Sequence, residues 1–305
     1  MVMAAGTRIG WGDLPAAVRE RVEGIVGGRV VEAVSQTGGF SPGTADRVRT
    51  ADGRRAFVKA VTPAVNERSA ELARQEIRIT SALPGHVPAP RVLGSLDDGD
   101  WVVLVLEDIE GAHPRTPWVK DEIDAAVTAL AELADALTPA PLTVPDVTAV
   151  ITEGFGGWQR LAADPPADLD PWAAAHLPEL IAAAERGLAA SSGGNTLAHC
   201  DIRADNMLVR PDGRFVIVDW PWGATAPIWF DRVLLALNIT VHGGDPERVI
   251  AGLDRRIVTD VFAGWAGFFR DISRLPPPPG LPSVRAFQRW QADELLPWLR
   301  RELGR

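Results

Sequence analysis

Short alternations of hydrophobic and polar residues characterise the first third of the chain. A helical spacing is found over residues 66–83, between the third and fourth of these alternating runs. An earlier helix is predicted over residues 14–26, with Asp13 as its N-cap. This region is therefore predicted to form five strands with one helix inserted after the third. The predicted strands are residues 30–35, 45–49, 55–61, 91–96 and 101–106.

From residue 120 onward the spacing of apolar residues becomes mostly helical. A strand-rich island at residues 197–218, with the turn Pro211-Asp212-Gly213, interrupts the helices. Residues 276–279 are consecutive prolines, which predicts a stiff connector. The predicted helices are residues 121–137, 171–190, 228–241, 246–270 with a break, and 284–303.

Composition narrows the class of protein. The chain has 305 residues, of which 46% are hydrophobic and 23% charged, which predicts a packed core in one large domain or two lobes. A single cysteine excludes a disulfide framework and a thiolate metal cluster, and it predicts a cytoplasmic protein. Apolar runs stay short of 18 residues and residues 1–12 lack the pattern of a secretory signal, so we expect no membrane span and no export.

The acidic balance is concentrated in one segment. The formal net charge of -9 argues against nucleic-acid binding, which needs a basic surface. Residues 120–190 hold 3 basic and 12 acidic side chains, whereas residues 245–305 hold 10 basic and 8 acidic ones. Two interpretations are open for the acidic segment: solvated helix faces, or a wall that recognises a cationic ligand.

One motif carries the chemistry. His199, Asp201 and Asn206 form the pattern His-x-Asp-x-x-x-x-Asn, and an apolar strand ends at Asp219 thirteen residues later. Phosphoryl transfer needs one Asp to orient an attacking hydroxyl and accept its proton, and an Asn and a second Asp to hold metal ions at the nucleotide phosphates. The alternative is a polar turn followed by an Asp at a strand end.

Features in the first five strands favour the phosphotransfer interpretation. The glycine-rich loop Gly38-Gly39-Phe40-Ser41-Pro42-Gly43 lies between the first two strands, where its backbone can approach phosphates. Lys59 lies in the third strand, and Lys120 is the only other lysine of the chain. A lysine is a flexible point charge that can reach nucleotide phosphates. Glu76 in the following helix can pair with Lys59, and Glu71 is the competing partner.

The chain resembles the aminoglycoside phosphotransferase family within the protein-kinase-like fold, and most closely an actinobacterial type. The resemblance rests on the glycine-rich loop, Val87-Pro88-Ala89-Pro90-Arg91, Arg203-Ala204-Asp205-Asn206 and Val218-Asp219-Trp220-Pro221. It implies an α+β bilobal fold. Residues 1–107 would form a nucleotide-binding N-lobe, a five-stranded antiparallel sheet with one helix. Residues 108–305 would form a mainly helical C-lobe with the catalytic loop and the acceptor-binding helices.

The resemblance also implies roles for individual residues. Asp201 is the implied catalytic base, and Asn206 and Asp219 are the implied Mg²⁺ ligands. Lys59 with Glu76 would position the phosphates of ATP or GTP, together with Gly38, Gly39 and Ser41 of the loop. The segment Leu106-Glu107-Asp108 matches the hinge between the lobes, so Leu106 and Asp108 would contact the purine through their backbone. Asp231 matches a residue that braces the catalytic loop.

Three positions of the motif need separate interpretation. Cys200 replaces the glycine usual in the family, and we interpret it as a small buried residue because no His or Lys is paired with it. His199 is expected to fix the loop. Two roles remain possible for Arg203. It either stabilises charge on the transferring phosphoryl group or forms a salt bridge with Asp205.

Tryptophan is abundant, with eleven residues against no tyrosine. Most are expected in the core or between the lobes, because tryptophan buries a large area. Trp220, Trp222 and Trp229 follow Asp219 closely and could instead line the cleft. Trp265, Trp290 and Trp298 are expected to pack between C-terminal helices.

These observations predict a Mg²⁺-dependent kinase that transfers the γ-phosphate of ATP or GTP to a hydroxyl of a small molecule. An antibiotic, either an aminoglycoside or a nucleoside type, is the first candidate acceptor. A metabolite such as choline, a sugar or an amino alcohol is the alternative. A nucleotide-binding pseudokinase is a third possibility, although Asp201 and Asp219 are both present. A protein kinase is disfavoured because helical sequence resumes soon after Pro227.

Overall fold

The computed structural model describes residues 9–36 and 43–304. Its N-terminal part contains helices α1 (Ala16–Val26) and α2 (Glu67–Ala82). The strands are β1 (Val30–Ser35), β2 (Thr44–Thr50), β3 (Arg55–Val61), β4 (Val92–Asp97) and β5 (Val102–Leu106). They form one five-stranded antiparallel sheet in the order β1-β2-β3-β5-β4. The predicted five-stranded sheet, with one helix inserted after its third strand, is confirmed.

The two helices of this part begin in different ways. Pro15, rather than the predicted Asp13, occupies the N-cap of α1. Asp13 instead ends a short 3-10 turn and accepts a hydrogen bond from the Gly10 N–H at 2.8 Å. The N-cap of α2 is Asn66, whose side chain accepts a hydrogen bond from the Ser69 N–H at 2.9 Å. Such caps satisfy amide groups that the first helical turn leaves unpaired.

The remaining chain is mainly helical and holds two small two-stranded sheets, β6 with β9 and β7 with β8. Its strands are β6 (Thr196–Ala198), β7 (Met207–Val209), β8 (Phe215–Ile217) and β9 (Ala224–Ala226). Its helices are α3 (Lys120–Ala136), α4 (Val147–Phe155), α5 (Gly157–Ala163), α6 (Pro171–Ala175), α7 (Leu177–Ala190), α8 (Phe230–Val241), α9 (Glu247–Ile250), α10 (Arg255–Ile272) and α11 (Val284–Leu303).

Helix α10 lies at the centre of the helical part and packs against α5, α7 and α11. Glycines permit the closest approaches. A Cβ on Gly187 of α7 would lie 2.6 Å from the main chain of Asp260, and a Cβ on Gly157 would lie 2.3 Å from the Gly267 carbonyl oxygen. No helix in the described ranges combines the length and the apolar character needed to cross a membrane.

Two predicted helices are divided in the structure. The segment 171–190 contains α6 and α7, because Pro178 has no amide hydrogen to continue the hydrogen bonds of α6 and is tolerated only in the first turn of a new helix. The expected break in 246–270 falls at residues 251–254, where Gly252 has φ of 81° between α9 and α10. Helices α4 and α5 were missed, since their segment has no long apolar periodicity.

The acidic segment is used within the protein. Four of its aspartates form ion pairs with arginines of α9, α10, α11 and the adjoining loop, so the opposite charges of residues 120–190 and 245–305 complement each other. These four aspartates therefore stabilise helix packing. Because they are paired with arginines, they are not available to recognise a cationic ligand. The pairs are Asp124 with Arg248, Asp164 with Arg274, Asp168 with Arg270 and Arg289, and Asp170 with Arg300.

Candidate active site

The loop after β6 is held by a buried carboxylate from the first turn of α8. Asp231 accepts hydrogen bonds from the backbone N–H of His199 at 2.7 Å and of Cys200 at 3.0 Å. Cys200 has φ of 65°, a conformation that glycine adopts at low cost. The glycine that the resemblance implies at this position would therefore suit the same loop geometry. Burial raises the pKa of the Cys200 thiol well above its usual range, so it remains protonated.

His199 connects the loop to the strand that precedes Asp219. Its Nδ1 accepts a hydrogen bond from the Asp201 N–H at 3.2 Å, which leaves Nε2 protonated to donate to the Val218 carbonyl at 3.0 Å. The ring is fully buried and packs edge to face on Trp220 at 4.7 Å. His199 therefore fixes the spacing of Asp201 and Asp219 and does not reach the cleft.

Asp201 and Asn206 face each other across the loop. The Asn206 amide nitrogen donates to the carbonyl oxygen and to the carboxylate Oδ2 of Asp201, both at 2.9 Å. Burial raises the pKa of Asp201, and the neighbouring Arg203 partly opposes this effect. The Asp201 side chain keeps 25% exposure, so its carboxylate can reach a molecule in the cleft. A carboxylate of raised pKa is suited to accept a proton.

Asp219 follows β8 in a left-handed conformation with φ of 69°. A non-glycine residue rarely adopts this conformation, and such residues cluster at functional sites. The turn directs its carboxylate toward the sheet, where Oδ1 lies 2.5 Å from Lys59 Nζ. Burial would raise the pKa of Asp219, but Lys59 outweighs it and the pKa is lowered. Asp219 is therefore ionised at neutral pH. Its side chain is 41% exposed.

Lys59 of β3 is held by Glu76 of α2. Its Nζ donates to both carboxylate oxygens of Glu76, at 2.8 and 2.7 Å. Burial raises the pKa of Glu76 to about 6, against the effect of the lysine. Burial alone would lower the pKa of Lys59, yet Asp219 and Glu76 raise it. The competing Glu71 pairs instead with Arg68 at the surface, at 2.9 Å.

The geometry thus connects Lys59, Asp219, Asp201 and Asn206 across the junction of the sheet and the helical part. A model of the phosphotransferase enzyme family matches residues 38–268, more than half of the chain.

The chain belongs to the phosphotransferase enzyme family.

Membership confirms the predicted family and enzyme class. No sequence among the curated proteins matches the chain.

Three solved structures are similar to this phosphotransferase in fold. A thermostable mutant of aminoglycoside phosphotransferase APH(4)-Ia, in ternary complex with AMP-PNP and hygromycin B, has a TM-score of 0.64 and 13% identity, covering 95% of this chain and 100% of that one. Choline kinase LicA from Streptococcus pneumoniae has a TM-score of 0.62 and 15% identity, covering 92% and 98%. An aminoglycoside phosphotransferase from Alicyclobacillus acidocaldarius has a TM-score of 0.50 and 17% identity, covering 90% and 93%. Identities this low establish the fold alone, and the predicted kinase-like fold is confirmed.

Part of the phosphotransferase's predicted phosphate loop lies outside the described residues, namely Gly38, Gly39 and Ser41. Their neighbour Gly43 is described and lies against β3. A Cβ at Gly43 would come within 2.2 Å of the Ala60 carbonyl oxygen, so only glycine permits this approach. The end of the loop is thereby placed beside the strand that carries Lys59.

The two roles left open for Arg203 correspond to two contacts. Its Nε and Nη2 donate to the two carboxylate oxygens of Asp205 at 2.9 and 2.8 Å, a bidentate salt bridge. Its Nη1 lies 3.4 Å from Asp201 Oδ1. The salt bridge to Asp205 is therefore present, and it holds the guanidinium beside the carboxylate of Asp201.

Leu106 and Asp108, the residues predicted for the hinge, lie where the chain leaves the sheet. Leu106 is buried and pairs with Phe57 in β3. The Asp108 carboxylate is 3% exposed and receives Arg47 Nε at 2.6 Å and Arg55 Nε at 2.8 Å. A purine could therefore be contacted by Asp108 only through its backbone. Sequence reasoning missed the two arginines, which look like polar strand residues exposed to solvent.

The tryptophans after Asp219 differ in position. Trp220 is fully buried and donates its indole N–H to the Ile217 carbonyl at 3.0 Å, so the interpretation that it lines the cleft is wrong. Trp222 is half-buried with the Arg68 guanidinium 5.5 Å from its ring, and Trp229 is half-buried against the core. Trp298 is buried between α10 and α11, as expected for helix packing.

Proposed function

We propose that the protein is a small-molecule kinase that transfers the γ-phosphate of ATP or GTP to a hydroxyl group. Residues 1–107 act as the nucleotide-binding lobe and residues 108–305 as the catalytic and acceptor-binding lobe. The observation that carries the proposal is the contact series from Glu76 through Lys59 to Asp219, with Asp201 and Asn206 beside it. These groups match the parts that phosphoryl transfer requires.

Asp201 orients the acceptor hydroxyl and takes its proton. The acceptor oxygen then forms a bond to the γ-phosphorus while the bond from that phosphorus to the bridging oxygen breaks, and the nucleoside diphosphate leaves. Lys59, fixed by Glu76, pairs with phosphate oxygens. Arg203 lies beside the Asp201 carboxylate, where its positive charge reduces the repulsion between that carboxylate and the transferring phosphoryl group.

The donor atoms suit Mg²⁺. Asn206 uses its amide nitrogen on Asp201, which leaves its amide oxygen for a cation, and Asp219 offers an exposed carboxylate. Both are hard oxygen donors, and Mg²⁺ in such sites takes few protein ligands beside phosphates. In the described ranges no group of three or more His, Cys, Asp or Glu is placed to hold a metal ion. Bound Mg²⁺ would neutralise charge on the phosphates.

The acceptor is an antibiotic or a metabolite. The solved neighbours hold an aminoglycoside, hygromycin B, in one case and bear the name choline kinase in another, so both types of acceptor occur in this fold. Resistance by O-phosphorylation is our first physiological candidate. The single buried thiol suits the reducing cytoplasm, where we place the enzyme.

The test is a nucleotide-consumption screen against antibiotics and metabolites, with Asp201→Ala as the blank. We expect an acceptor-dependent rate that the blank lacks, and Asp201→Asn should lose it as well while retaining nucleotide binding. Tight nucleotide binding without phosphorylation of any acceptor would support a pseudokinase instead.

A further inference from the structure

An aromatic surface begins one side chain away from Asp201. The Arg203 guanidinium, 3.4 Å from Asp201, lies 5.8 Å from the centre of the Phe287 ring. The rings of Phe287 and Trp290 are 5.6 Å apart, and Trp290 meets His242 edge to face at 5.1 Å. We name Phe287, Trp290 and His242 the aromatic wall. A series of ring contacts therefore runs from Arg203 along α11 to the residue that follows α8.

The guanidinium beside this wall is paired with a carboxylate, and the imidazole within the wall is neutral. Arg203 is paired with Asp205 by two hydrogen bonds, at 2.9 and 2.8 Å. Burial lowers the pKa of His242, so its ring is neutral at pH 7. The position over the Phe287 ring that an acceptor cation could take is held by Arg203 itself. The Phe287 ring therefore has this face covered by a side chain of the protein and does not offer it to an acceptor cation.

Three carboxylates of the acidic segment are engaged in ion pairs with arginines. Asp168 and Asp170 from the acidic segment pair with arginines of α10 and α11, and Asp124 pairs with Arg248. These pairs tie helices together. These three carboxylates are therefore not free to recognise a cation next to the aromatic wall.

Trp290 differs from the buried tryptophans. Trp118, Trp158 and Trp298 are buried and each donates its indole N–H to a protein oxygen. Trp290 is half-buried, and within the described part of the chain its indole N–H makes no hydrogen bond. Such a tryptophan offers a flat face and a donor to a ligand, as in sites that stack planar rings.

Resting on the kinase function proposed above, we infer that the acceptor is an uncharged alcohol carrying a planar ring, which stacks on Trp290 while its hydroxyl lies at Asp201. Nucleoside-like compounds belong to this chemical class. Aminoglycosides and choline do not, because both are cations.

Phosphorylation assays on the full-length protein test this directly. The probes are uridine and adenosine as uncharged alcohols with planar rings, glucose as an uncharged alcohol without one, and hygromycin B and choline as cations. We expect a rate above the Asp201→Ala blank for a nucleoside. For that acceptor, Trp290→Ala should raise KM about tenfold or more, with the nucleotide KM unchanged. Trp290→Phe should recover most of the loss, because it restores a ring.

The chain provides a matched control. Trp172 also stacks on a histidine, His176 at 4.6 Å, and lies under an arginine, Arg300, but it is in α6. Trp172→Ala should leave the acceptor KM unchanged. Turnover of hygromycin B, choline or glucose without turnover of a nucleoside would overturn this inference and leave the kinase function standing. Lack of turnover with all five probes would also overturn this inference, and the wider acceptor screen would then decide the kinase function.

Discussion

Lys59 Nζ lies 2.5 Å from Asp219 Oδ1, joining two residues that are 160 positions apart in the chain. The same ammonium is held by Glu76 on its other side. One lysine therefore links β3, α2 and the turn after β8. The contact joins the proposed phosphate-binding lysine to the proposed metal ligand. A substitution at Lys59 should therefore affect both phosphate binding and the position of Asp219.

Lys59→Met should lower kcat by roughly 10²-fold, because it removes the charge beside the phosphates. Lys59→Arg keeps the charge but replaces a point charge by a planar fork, so we expect a loss of about tenfold or more. The measurement is steady-state phosphotransfer with saturating nucleotide and acceptor. Lys120→Arg changes the other lysine, which is exposed at the start of α3, and should have no effect. Equal rates for Lys59→Met and wild type would show that Lys59 is not the phosphate-positioning residue.

The pH dependence of catalysis should reflect Glu76. Since its pKa is raised to about 6 by burial, Glu76 becomes neutral as the pH falls below that value and no longer holds Lys59 by charge. We expect kcat/KM to fall as the pH decreases through about 6. In Glu76→Gln this limb should be absent and the rate low throughout.

Glu71→Gln serves as the control for this profile, because Glu71 lies five residues earlier in the same helix and pairs with Arg68 at the surface. Its profile should match that of wild type. A limb near pH 6 that persists in Glu76→Gln would assign the titration to a group other than Glu76.

Site residues on regular strands and helices could be predicted from the sequence, whereas contacts made only by tertiary packing could not. Strand periodicity placed Lys59, and helical spacing placed Glu76 within its reach, because regular elements fix the direction of side chains. The aromatic wall was not anticipated, since it joins the end of α8 to α11 through tertiary packing. Trp290 was expected to serve helix packing alone. The ion pairs of the acidic segment were missed for the same reason, because charge counts carry no information on partners.

Helix packing around α10 should depend on Gly187. In Gly187→Ala the new Cβ would lie 2.6 Å from the backbone of Asp260, and backbone cannot move aside as a flexible side chain can. We expect the free energy of unfolding to fall by about 1–3 kcal/mol, measured by urea denaturation. Gly24→Ala is the matched change, since Gly24 also lies within a helix but has open space around it, and it should raise the stability by up to about 1 kcal/mol. Equal effects of the two substitutions would mean that α7 and α10 do not approach as closely as described.

The junction of α10 and α11 should lose stability at acid pH through Glu302. Hydrogen bonds from Arg255 and Arg301 outweigh burial and lower the pKa of Glu302 from 4.5 to about 2. A carboxylate whose folded pKa is depressed stabilises fully above about pH 4.5, and this contribution is lost as the pH falls toward 2. Glu302→Gln should therefore lower the free energy of unfolding at pH 7 by about 1 kcal/mol, a value reduced because both arginines are partly exposed to solvent. The difference from wild type should shrink between pH 4.5 and pH 2, as measured by urea denaturation across this range.

Glu294→Gln changes an exposed residue of the same helix and should show no such difference at pH 7 or at pH 2. A difference for Glu302→Gln that stays constant down to pH 2 would mean that the carboxylate does not act through its charge.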